Sequence, residues 1–68
     1  MALLIDNDVV ALVEQWVVEN GLMNWRWTNG MISKEAHADG LGEHVVTPSF
    51  WLGVFNGMRE VDRRMESW

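Results

Sequence analysis

The sequence predicts a small α+β or mainly α fold. An N-terminal helix is followed by a Trp-rich middle, either a β-hairpin or a short helix, and then by a longer C-terminal helix packed against the first; an all-α helical bundle is the alternative. Three observations carry this expectation. Residues 6–20 and 48–66 each open on a capping signal and continue with apolar residues at helical spacing. Between them, Asn29-Gly30 sits beside Trp25, Trp27, Thr28 and Ile32, the residue types of a hairpin. A chain of 68 residues, 49% hydrophobic and 22% charged, has a globular balance and room for one domain, residues 1–68.

In the first helix, Asp6, Asn7 and Asp8 are all good N-caps. With Asp6 as the cap, the helix runs to about Asn20 and Gly21 takes the left-handed position after it. Val9, Val13, Trp16, Val17 and Asn20 share one face, and Glu14, Gln15 and Glu19 mark the wet side. Valines are mediocre helix formers, so packing must hold this segment.

The middle segment, 22–34, is expected as a hairpin. A two-residue turn at Asn29-Gly30 pairs Thr28 with Met31 and Trp27 with Ile32, and places Trp25, Trp27 and Ile32 on one face. The competing reading is a short helix from Leu22 to Asn29, ended by Gly30. Ser33 then caps a short helix, Lys34 to Asp39, stopped by Gly40. After a loop, Thr47-Pro48 is a helix start, Thr as N-cap and Pro at the first helical position. From there Trp51, Val54, Phe55, Met58, Val61 or Asp62, Met65 and Trp68 recur at the spacing of one apolar face, with Glu60 and Arg64 paired on the outside. Gly53 and Gly57 lie four apart on this helix. They read as a seam for another helix, here a second copy, or as a local weak point or room for one aromatic ring.

Charge and composition exclude several classes. The net charge is −5, and residues 1–25 hold Asp6, Asp8, Glu14 and Glu19 with no Lys or Arg, which does not favour nucleic acid or an anionic membrane as partner. The longest apolar run, residues 1–5, is far below the ~18 residues of a membrane span and lacks the basic flank of a secretory signal. With no cysteine, a cytoplasmic location is expected.

Chemistry-bearing residues are sparse. His37, Asp39, Glu43 and His44 lie close in sequence, but their spacing matches no metal motif, so no metal and no cofactor is expected. His44 with Ser49, or His37 with Asp39, lacks a third group and an oxyanion site. Gly40-Leu41-Gly42 lacks the Gly or Lys of a phosphate loop. The chain is therefore expected not to be an enzyme, and no small-molecule ligand is evident. Ala36 and Gly40, followed by a Thr-capped helix, raise a small dimeric helix-turn-helix-like DNA-binding regulator as the alternative function; the long loop and the absence of a base from Pro48 until Arg59 weigh against it.

What remains is an abundance of large rings. Five Trp and two Phe in 68 residues exceed what a chain that buries only ~60% of its unfolded surface can readily hide. No disulfide or evident metal supplements the core, so a second copy or a partner is expected to. The predicted function is a non-enzymatic protein–protein interaction module, self-associating with a dimer favoured, that binds and regulates or inhibits a larger protein. Trp25, Trp27, Trp51, Phe55 and Trp68 are the expected contact surface, because exposed rings dominate binding energetics. Glu14 and Glu19 are expected to steer a basic partner.

Overall fold

The computed structural model describes residues 4–20 and 27–66. Three helices, α1 (Asn7–Asn20), α2 (Asn29–Ala38) and α3 (Pro48–Glu66), make up most of it, with a short 3-10 turn at Gly42–His44 and no strand among the described residues. The all-α reading therefore holds. No helix among the described residues is long and apolar enough to cross a membrane.

Local signals set both outer helices as expected. The Asp6 carboxylate accepts from the backbone N–H of Asp8 at 3.0 Å and of Val9 at 3.4 Å, satisfying two donors at the start of α1. At its end the Asn20 side chain donates to the Trp16 carbonyl. Thr47 Oγ1 accepts from Phe50 N and donates to the His44 carbonyl, and Pro48 occupies the first position of α3.

The hairpin at Asn29-Gly30 is not formed. Those two residues are the first turn of α2, whose N-cap is Thr28, its hydroxyl accepting from Met31 N at 3.2 Å. A primed hairpin turn needs positive φ at its central residues, and Gly40 is the positive-φ residue among those described. The helix wins because Ile32 and Ala36, four apart, both bury in the core, whereas a lone two-stranded ribbon is marginal. Trp27 and Ile32, paired across the expected turn, instead occupy the positions flanking a helix start, one before the cap and one four residues in. Ser33, expected as a cap, lies inside α2; the rival helix and Gly21 fall mainly on residues 21–26, outside the described residues. Gly40 stops α2 as predicted: at φ 82° it lets Leu41 N reach the Ala36 carbonyl at 2.7 Å and Gly40 N reach that of His37 at 3.3 Å, a Schellman closure.

α1 and α3 run parallel, side by side. Asp6 N donates to the buried Ser49 hydroxyl at 2.8 Å. Further along, Gly53 meets Val13, and Gly57 meets Val17. A Cβ on Gly53 would lie 2.7 Å from Val13 Cβ, and one on Gly57 equally close to Val17 Cβ. The small-residue pair is thus a close helix seam, but its partner is α1 of the same chain rather than a second copy. α2 and residues 39–47 carry the chain back from the end of α1 to the start of α3.

The core holds Val13, Trp16, Val17, Ile32, Ala36, Phe50 and Val54. The Phe50 ring stands edge-on to Trp51 at 4.8 Å and tilted against Trp16 at 6.1 Å. Trp16 Nε1 donates to the Asp39 carboxylate at 2.7 Å, tying α1 to the end of α2. Trp51 Nε1 donates to the Val45 carbonyl at 2.8 Å, tying α3 to the loop. Both indoles meet the need of a covered N–H for a partner.

Candidate functional site: an apolar groove between two helices

Of the apolar face expected on α3, Val54 and Val61 are buried, Trp51 and Met58 are half-buried and packed against the core, and Phe55 is exposed. The inward stripe runs through Phe50, Gly53, Val54, Gly57 and Val61. Two glycines admit α1 so closely that this side of α3 becomes the packed one, and Phe55 is left 58% exposed. The outer part of this face forms one wall of a groove of about 300 Å³. Trp51, Val54, Phe55 and Met58 line it from α3; Trp27, Asn29 and Ile32 line it from the start of α2.

Ile32 and Val54 are buried and form its floor, while Trp27, Trp51 and Met58 are half-buried. Because the Trp51 N–H is spent on Val45, that indole offers the groove an apolar surface. None of the lining residues is ionisable. At the rim, the Arg59 guanidinium lies over the Phe55 ring, 5.6 Å from its centroid, a cation–π contact that braces an exposed ring.

Three of the residues expected at a contact surface, Trp27, Trp51 and Phe55, converge here. Trp25 and Trp68 lie outside the described residues. Glu14 and Glu19 are not part of the groove. They border a separate shallow depression with Gln15, Val18, Glu60 and Arg64, where Glu60 pairs with Arg63 at 3.4 Å and Arg64 at 3.5 Å. Asn29, Ile32, Val54 and Met58 were not singled out as contact residues. Their signal is the three-residue spacing on α2 and the four-residue spacing on α3, visible once both segments are read as helices.

The polar residues weighed for metal or catalytic chemistry are placed in local structural contacts. Asp39 holds Trp16, Ser49 accepts from Asp6, His44 lies 3.4 Å from Glu43, and the His37 ring covers Gly42 so closely that a Cβ there would overlap it. No three His, Asp or Glu side chains gather as a metal site among the described residues. Residues 39–47 separate α2 from α3, more chain than the tight turn of a helix-turn-helix, and the start of α3 is committed to α1.

No family model matches this chain, no curated protein matches it, and no solved structure matches it. Its function is read from its own geometry.

Proposed function

We propose that this chain is a non-enzymatic protein-interaction module that engages protein through the groove between α2 and α3, and that it regulates or inhibits a larger protein. The observation that supports it most is an apolar groove, walled by Trp27 and Trp51 and rimmed by an exposed Phe55, without an ionisable group among its lining residues. Indole and phenyl rings beside a desolvated pocket are the usual anchors of protein interfaces. Acid–base or nucleophilic chemistry needs titratable or nucleophilic side chains at the pocket, and this groove is lined with none.

The test is a photoreactive amino acid at Asn29, on the groove wall, illuminated in cells that express the chain. Cross-links to protein are expected, and Phe55→Glu should abolish them. Labelling no stronger than from Val46, an 89%-exposed position away from the groove, refutes the reading. So does retention of bulk DNA at low salt that is lost as salt rises.

A further inference from the structure

Resting on that reading, we infer that the groove's occupant is a second copy of this chain, in a two-fold symmetric dimer in which each copy seats its Phe55 in the groove of the other. A symmetric dimer requires one patch that is complementary to itself. Here the knob and the hole lie on the same face: Phe55 stands 58% exposed at the edge of the groove instead of filling it. An apolar cavity of ~150 Å³ accommodates a benzene-sized ring, so a groove of about 300 Å³ has room for a phenyl ring with its neighbours.

Register supports the same arrangement. With α3 antiparallel to its copy and the axis at Phe55, positions equidistant from 55 meet. Leu52, itself 39% exposed, falls opposite Met58. Trp51 falls opposite Arg59, so a guanidinium meets an indole, a favourable cation–π pairing. Pro48 falls opposite Asp62. No like charges face each other along this stretch, and the pair nearest the axis, Leu52 with Met58, is apolar on both sides.

A 68-residue domain without disulfides is also of the size that commonly relies on association. An unrelated protein could fill the hole, but it would have to supply the knob that a second copy already carries beside it.

Sedimentation of the full chain across a dilution series is the first measurement. The expected result is about twice the 7.8 kDa chain mass at high concentration, falling to one on dilution. Phe55→Glu should raise the dissociation constant at least about tenfold while leaving the helical circular dichroism unchanged, because the ring is mostly exposed. The second measurement uses the absence of native cysteine: in a single-cysteine chain every disulfide joins two copies. An equimolar mixture of Leu52→Cys and Met58→Cys chains, whose positions the register sets opposite each other, should oxidise to a covalent dimer much faster than Val46→Cys, whose position is 89% exposed. A single-copy mass at every concentration, or oxidation of the mixture no faster than of Val46→Cys, overturns the dimer. If Asn29 then cross-links to a different protein, the binding function stands without it; if nothing is cross-linked, both fall.

Discussion

Replacing Gly53 by Ala probes the α1–α3 seam at one of its two closest approaches. An added Cβ would stand 2.7 Å from Val13 Cβ and 2.8 Å from the Val10 carbonyl oxygen, where relaxed carbon–carbon contacts are ~3.5–4.0 Å. Neither neighbour can swing aside. The carbonyl is backbone, and Val13 is fully buried and β-branched, with one preferred rotamer in a helix. α1 must therefore retreat, against the Asp6–Ser49 bond at one end and the Val17–Gly57 contact further along. Helix propensity favours Ala by ~1 kcal/mol, and overpacking opposes it by ~1–3 kcal/mol. With rigid neighbours the upper part of that range applies, for a net loss of about 1–2 kcal/mol, a fall in Tm of roughly 4–16 °C for a domain of this size. Gly30→Ala is the matched control. Its Cβ would meet only Thr28 Oγ1, at 3.8 Å, so it should stabilise by up to ~1 kcal/mol. Both are read by thermal and urea melts at one fixed protein concentration, since association shifts apparent stability. If Gly53→Ala raises the Tm as Gly30→Ala does, the seam is looser than described and the reasoning fails.

Two further substitutions test the joints around the groove. Gly40→Ala places a side chain at φ 82° and should cost about 1–2 kcal/mol in a urea melt; an unchanged midpoint would mean the turn after α2 relaxes freely. Asp39→Ala removes the acceptor of the Trp16 indole N–H and should cost about 1 kcal/mol, with Asp39→Asn losing less because it keeps an oxygen there; equal losses would show that the hydrogen bond is not what Asp39 contributes.

Much of the fold was legible because its signals are local. Asp6 and Thr47-Pro48 cap helices through atoms within three residues of themselves, and Gly40 ends one through its own φ, so neighbours in sequence suffice. The start of α2 was not legible on that basis. Asn29-Gly30 is as good a hairpin turn as it is a helix start after Thr28, and the Trp27–Ile32 pair suits both. The decision came from Ile32 and Ala36 burying against α1 and α3, which no short window contains. For the site, ring-rich positions pointed to Trp27, Trp51 and Phe55, and the structure brings those three together. The acidic pair Glu14 and Glu19 lies elsewhere, on α1, which does not line the groove.

The packed side of α3 is rotated from the centre of the face the sequence predicts, with Val54 and Val61 common to both. Ranked by side-chain hydrophobicity, Trp51, Phe55 and Met58 outrank a stripe that contains two glycines. Yet burial depends on how near the opposing surface can come. Gly53 and Gly57 let Val13 and Val17 sit almost against the α3 backbone, and close approach makes up in packing what the glycines lack in side chain. Trp51 then lies at the edge of the core and Phe55 is left exposed, both beside α2 in the groove wall. Seam and groove are thus two sides of one helix, and whatever pushes α1 off Gly53 also shifts the wall that holds Trp51 and Phe55. A seam variant that remains folded should therefore bind more weakly at the groove, although residue 53 touches nothing there.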